Sequence, residues 1–189
     1  MNNYEQDIKD TVSVLKDGGV ILYPTDTIWG LGCDASNEKA IQRIIQIKHR
    51  DANKSFVLLM TDLKQLYKYI ANPLPHLQEI VESFHTPTTL IYPGAINLPS
   101  CLFGPDGSIA VRITKDTFCR ALIKRLRQPI VSTSANLSGE PSPHYFQMVT
   151  ESIHEQVDYV VQFRQEDRTI QEPSTILKLC DDGTLLRIR

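Results

Sequence analysis

The chain alternates between apolar runs of helical period and short, continuous apolar runs bounded by Gly, Pro or polar residues. Ile8, Val12 and Leu15 recur at helical spacing over residues 4–16, and Gly18-Gly19 supplies a stop. Val20-Ile21-Leu22-Tyr23 then reads as a buried strand broken by Pro24. Ser36 or Asn37 can cap a second helix with Ala40, Ile41, Ile44, Ile45 and Ile47 on one wide apolar face. Residues 55–60 form the next predicted strand, followed by helices at 62–71 and 75–84.

Strands are predicted at 88–92 and 109–113, with a Pro/Gly-rich loop between them. Phe118, Ala121, Leu122 and Leu126 mark a helix, and a strand at 129–132 follows. A helix at 143–153 and strands at 157–163, 174–179 and 184–188 complete the set. The order is not a strict βαβα alternation, and the consecutive strands near the C-terminus call for antiparallel pairing. The expected fold is therefore α/β: one domain over residues 1–189, with a twisted mixed parallel/antiparallel sheet flanked by helices and a concave ligand cavity.

Composition narrows the function classes. At 41% hydrophobic and 22% charged residues the chain is that of a globular domain, and a net charge of −2 gives no global signature for nucleic acid. No run approaches 18 apolar residues, and Met1–Asp7 lacks the basic-then-apolar pattern of a secretory signal. A cytoplasmic protein with no membrane span is expected. Cys33, Cys101, Cys119 and Cys180 show no metal or redox spacing, so reduced, packed thiols are expected. The five histidines show no zinc spacing, and no metal site is assigned.

Four segments carry polar groups where chemistry is possible. Ser132-Thr133-Ser134-Ala135-Asn136-Leu137-Ser138-Gly139 follows a strand and is either a polar turn or a cradle for phosphate or ribose oxygens. Tyr23 to Gly32 holds Thr25, Asp26, Thr27 and two glycines, either as a turn or as a ligand loop at a strand end. Lys48-His49-Arg50, with Lys54 close behind, either complements a helix dipole or clamps a polyphosphate. Arg112 lies between apolar residues in a predicted strand, so it needs an internal carboxylate or a carboxylate-bearing ligand. P-loop and GxSxG motifs are absent, so neither a P-loop enzyme nor a serine hydrolase is indicated.

Taken in order, these segments resemble the YrdC/YciO family, which includes the threonylcarbamoyl-AMP synthases. The resemblance rests on Gly19–Thr27 with Gly30-Leu31-Gly32, on Lys48-x-Arg50 and Ala110-Val111-Arg112, and on Ser132–Gly139 and Ser174-Thr175-Ile176. It implies synthesis of threonylcarbamoyl-AMP and pyrophosphate from L-threonine, bicarbonate and ATP, with Mg²⁺ held by the nucleotide phosphates. The product would modify adenosine 37 of tRNA, directly or through downstream transfer proteins.

By the same resemblance Lys48 and Arg50 are the catalytic pair, and Lys48, Arg50, Lys54, Ser108, Ser134, Asn136, Ser142 and Arg187 contact ATP. Thr27, Arg112, Ser132 and Ser174 would hold threonine, Arg112 through its carboxylate. The chain departs from the family pattern at Trp29, Asp51, Ser55 and Leu59, and it lacks the C-terminal extension of longer members. Two further readings are a YciO-type paralogue and a tRNA or double-stranded RNA binder without synthase activity. The Pro/Gly-rich segment 93–107 is the expected cover of the site.

Overall fold

A computed structural model describes residues 4–49, 56–180 and 182–189. Its centre is a nine-stranded mixed sheet. The predicted apolar runs form β1 (Ile21–Tyr23), β3 (Val57–Met60), β4 (Thr88–Tyr92), β5 (Ile109–Ile113) and β6 (Ile130–Ser134). β2 (Gly30–Asp34) has no predicted counterpart, because its two glycines in five residues conceal a strand pattern. β7 (Tyr159–Val160), β8 (Thr175–Leu179) and β9 (Leu185–Arg187) are shorter than the sequence suggests. The spatial order is β7-β1-β2-β6-β3-β5-β4-β8-β9. β1–β7, β3–β5 and β4–β8 are parallel pairs, and the other neighbours are antiparallel.

Helices cover both faces, each for a local reason. α1 (Glu5–Lys16) and α5 (Thr117–Leu126) bury Ile8, Val12 and Leu15, and Phe118, Leu122 and Leu126, against Ile21, Tyr23, Leu59 and Ile130. Asp116 starts α5 by accepting from Cys119 N at 2.8 Å. α2 (Glu38–Ile47), capped by Asn37, packs Ala40, Ile41, Ile44 and Ile47 on the other face, over Leu31, Cys33, Leu58 and Val131. The predicted helices at 62–71 and 75–84 contract to α3 (Leu63–Leu66) and α4 (Leu77–Glu82). The one predicted at 143–153 splits into a 3₁₀ turn, Phe146–Met148, and α6 (Glu151–His154).

The N-terminal helix is tied to the sheet's far edge by a buried carboxylate. Asp7 accepts from Tyr159 Oη (2.6 Å), Gln162 N (3.2 Å) and Phe163 N (2.7 Å). A charged acceptor for three donors offsets the cost of its own burial. No helix among the described residues is long and apolar enough to cross a membrane. All four cysteines are free thiols, and burial pushes those of Cys33 and Cys119 upward, leaving them protonated and inert.

Candidate functional site

The face under α1 and α5 is only half covered. Successive strand residues point to opposite faces, so Gly30, Val57, Arg112, Ser132 and Ser134 share the face of Ile21, Tyr23, Leu59 and Ile130. Where the helices stop, apolar side chains give way to glycine, hydroxyls and a guanidinium. Those residues form a cavity of about 250 Å³ whose wall includes Thr25, Thr27, Ser142, Pro173, Ser174 and Arg189. Six residues proposed from sequence line it together: Thr27, Arg112, Ser132, Ser134, Ser142 and Ser174.

The glycines of β2 are required by the floor. A Cβ on Gly32 would lie 2.7 Å from Tyr23 Cε1 and 3.1 Å from the Val131 carbonyl, so only glycine lets the phenol ring lie across the strand. The buried Tyr23 hydroxyl then reaches Ser132 Oγ at 2.8 Å. Burial, above all, raises the phenol's pKa well beyond its ordinary value, so the group stays protonated. Ser174 Oγ is anchored to Thr89 Oγ1 at 2.8 Å, and Arg189 donates to the Ser174 carbonyl at 3.0 Å.

Arg112, 5% exposed, finds an internal carboxylate and still faces the cavity. Its Nη2 lies 3.1 Å from Asp26 Oδ1, while Asp26 Oδ2 accepts from Thr114 Oγ1 at 3.1 Å. The ion pair lacks hydrogen-bond alignment. Asp26 Oδ1 and Arg112 Nε are buried atoms with no hydrogen-bond partner among the described residues. A buried guanidinium with an unused N–H is costly unless something accepts from it, and a carboxylate fits that fork. The two sequence readings of Arg112 are thus compatible: one edge meets Asp26, and the residue still borders the cavity.

Lys48 departs from its expected place. It is 3% exposed, and its ammonium donates to the backbone carbonyls of Ser134 and Asn136. Ser138 N donates to the Lys48 carbonyl at 3.0 Å, so the end of α2 and the serine-rich loop form one unit. Lys48 is absent from the cavity lining and shapes the loop that lines it. Arg50 and Lys54, with Asp51 and Ser55, lie outside the described residues.

Asn136 also turns inward. Its Nδ2 donates to the carbonyls of Leu137 (2.9 Å) and Glu140 (2.7 Å), closing a polar turn, one of the two readings of this loop. Ser108 immediately precedes β5, four residues before Arg112, and donates to Asp106 Oδ1 at a separate cleft beside Lys178.

Arg187 is the clearest correction. On β9 it pairs with Leu177 of β8 and is exposed away from the cavity, whereas Arg189 lines it. Both Ile188 N and Arg189 N reach the Ile176 carbonyl, at 2.8 and 3.3 Å. Two residues thus oppose one, and this bulge carries Arg189, not Arg187, onto the cavity face. The expected cover moves as well. Segment 93–107 packs back on residues 69–71, through Ile96 N to the Tyr69 carbonyl and Ala71 N to the Gly94 carbonyl. Pro173 and Ser174 border the cavity instead.

The sequence left the loop holding Thr25 and Asp26 open between a turn and a ligand loop, and named neither as a site residue. Their signal was available in the same short loop. A carboxylate beside two hydroxyls, in a chain with one strand-buried arginine, is a candidate partner for that arginine. Among the described residues no group of three His, Cys, Asp or Glu side chains is placed to hold a metal ion.

A mixed sheet with one half-open face, floored by glycine and hydroxyls and carrying a buried arginine, defines an α/β protein with a polar cavity on that face. A family model described as Sua5_yciO_yrdC, Telomere recombination, matches residues 13–188, and the chain belongs to that family. It is 36% identical over 172 residues to the threonylcarbamoyl-AMP synthase of Pseudoalteromonas translucida (strain TAC 125), covering 89% of this chain and 91% of that one. Among solved structures it is similar to E. coli YciO, with TM-score 0.84, 27% identity, and 97% of this chain and 88% of that chain covered. It is also similar in fold to P. abyssi Sua5 complexed with L-threonine, with TM-score 0.84 at 24% identity. That alignment covers 96% of this chain and 53% of the other, so this chain spans about half the length of P. abyssi Sua5.

Proposed function

We infer that the protein is an L-threonylcarbamoyl-AMP synthase, a nucleotidyltransferase acting on L-threonine, bicarbonate and ATP. The observation that carries this reading is the buried Arg112, with Nε unpartnered among the described residues, in a cavity shared with Thr27, Ser132 and Ser174. The family membership and the synthase relative support it. P. abyssi Sua5, which has the same fold, forms a complex with L-threonine.

Arg112 receives the threonine carboxylate, with Thr27, Ser132 and Ser174 lining the same cavity. Threonine and bicarbonate condense to the N-carboxylate with loss of water. A carbamate oxygen then attacks the α-phosphorus of ATP, and the bond to pyrophosphate breaks. No nucleophilic side chain is needed. Holding the reactants together supplies the barrier reduction, worth on the order of 7–11 kcal/mol in well-oriented cases. Ser134 and Ser142 lie on the nucleotide side, and Arg189 takes the place expected of Arg187. Arg50 and Lys54 supply charge to the triphosphate, while Lys48 holds the loop carrying Ser134. Mg²⁺ arrives as part of the MgATP substrate, bound mainly by phosphate oxygens. The adenylate serves tRNA adenosine 37 modification, passed on by transfer proteins.

Incubating the purified protein with ATP, labelled bicarbonate and threonine tests the reading. Pyrophosphate released only when threonine is present, with label in an adenylate, is the expected result. Pyrophosphate release that ignores threonine overturns it.

A further inference from the structure

The loop joining β1 to β2 contains a hydrogen-bond chain with only one possible direction. Thr25 Oγ1 lies 2.7 Å from the Ile28 carbonyl, which can only accept, so the single hydroxyl proton of Thr25 is committed there. Thr27 N donates to the same oxygen at 3.1 Å. Thr25 Oγ1 and Thr27 Oγ1 are 2.9 Å apart. Since the Thr25 proton is already used, the proton between these two oxygens belongs to Thr27. Thr27 Oγ1 therefore presents lone pairs, and no proton, to the cavity that it lines. Both threonines are buried, at 8% and 4% exposure, which removes water as an alternative partner for most orientations.

The same cavity also holds the reverse polarity, because Arg112, which lines it too, carries a guanidinium that can only donate. A ligand matching both carries an acceptor at one end and an N–H donor at the other. We propose that Thr25, which the sequence does not single out, is the positioning and specificity-determining residue of this site. By holding Thr27 as a pure acceptor, it selects ligands that bear an amino group beside their carboxylate. The proposal rests on the amino-acid-substrate reading above. It fits the chemistry there, since a carbamate nitrogen keeps one hydrogen and still donates to Thr27 after the amine has lost a proton.

Calorimetric binding of matched pairs tests this, each pair differing only in the α-amino group: L-threonine with 3-hydroxybutanoate, L-serine with 3-hydroxypropanoate, and L-valine with 3-methylbutanoate. Wild-type protein should prefer the amine-bearing member of its best pair. Thr25→Val, which keeps the shape and removes the oxygen, should weaken that member by about tenfold, the worth of one buried hydrogen bond. Its affinity for the amine-free partner and for ATP should hold. Thr25→Ser restores the hydroxyl and should restore the preference. Equal weakening of both members in Thr25→Val, or no wild-type preference in any pair, overturns the proposal. Preference for serine or valine over threonine would overturn the substrate reading and leave the role of Thr25 standing on that other pair.

Discussion

Arg112 and Asp26 form an ion pair of 3.1 Å across the cavity wall, and each keeps one buried polar atom without a hydrogen bond among the described residues. Such a pair contributes little to stability on its own, because desolvating both charges offsets most of their attraction. Its effect is to hold the buried guanidinium in place at the cavity wall. Asp26→Asn leaves that guanidinium buried and unpaired, and should lower unfolding free energy by about 3 kcal/mol. Arg112→Lys should instead weaken threonine binding about tenfold or more, because an ammonium lacks the planar fork that meets a carboxylate. Urea denaturation and threonine titration read the two effects separately.

Lys48→Ala is expected to act on structure as well as on turnover. Removing the ammonium leaves the Ser134 and Asn136 carbonyls without their shared donor and loosens the loop from the end of α2. Losing such charge-assisted bonds costs about 3 kcal/mol. Circular dichroism melts should show a lowered Tm, and ATP affinity should fall with it. An Arg50→Ala variant that loses pyrophosphate release at unchanged Tm would mark Arg50 as the functional member of the expected pair.

Asp7→Ala should be among the more damaging substitutions far from the cavity. It strips the acceptor from Tyr159 Oη, Gln162 N and Phe163 N and unties α1 from the segment after β7. A loss of about 3 kcal/mol is expected from donors left unpaired. Chemical denaturation measures it, and threonine affinity per folded molecule should be unchanged.

Gly32→Ala places a methyl group 2.7 Å from the Tyr23 ring. The ring is fully buried and held by its hydrogen bond to Ser132, so the variant should lose stability and disturb Ser132. Tyr23→Phe removes only the hydroxyl and should cost about 1 kcal/mol. A larger loss in Gly32→Ala than in Tyr23→Phe, measured by thermal unfolding, checks that the ring, not the hydroxyl, is what the glycine accommodates.

Acid sensitivity should involve Asp158. Burial opposes its ionisation, but the Arg43 guanidinium and the Val20 N–H at 2.7 Å outweigh that, and its carboxyl is held below the usual carboxylate range. A pKa depressed on folding contributes stability that is present above the unfolded value, near pH 4, and disappears as pH falls through the folded value. Asp158→Asn should therefore flatten part of the loss of stability below about pH 4, read from urea midpoints across pH.

Much of the architecture was legible because burial imposes period. Ile8, Val12 and Leu15 in α1, and Ala40, Ile41, Ile44 and Ile47 in α2, mark the faces these helices bury. β2 was hidden because Gly30 and Gly32 have no side chain to alternate, and Gly32 is there to admit Tyr23. Arg187 followed from family resemblance, and the bulge opposite Ile176 that brings Arg189 to the cavity leaves no mark in local spacing.

By itself the chain determined its three long helices, most of its strands, and a set of hydroxyls and cations suited to a polar ligand, since these follow from local spacing and residue chemistry. Only the tertiary structure decided which of those groups meet. Asp26 reaches Thr114 across 88 positions of sequence and Lys48 reaches the Ser134 carbonyl across 86, contacts set by strand order and not by any neighbouring residue. The same folding turned Lys48 and Asn136 inward and Thr25 and Arg189 toward the cavity, because every buried donor and acceptor must find its partner in space.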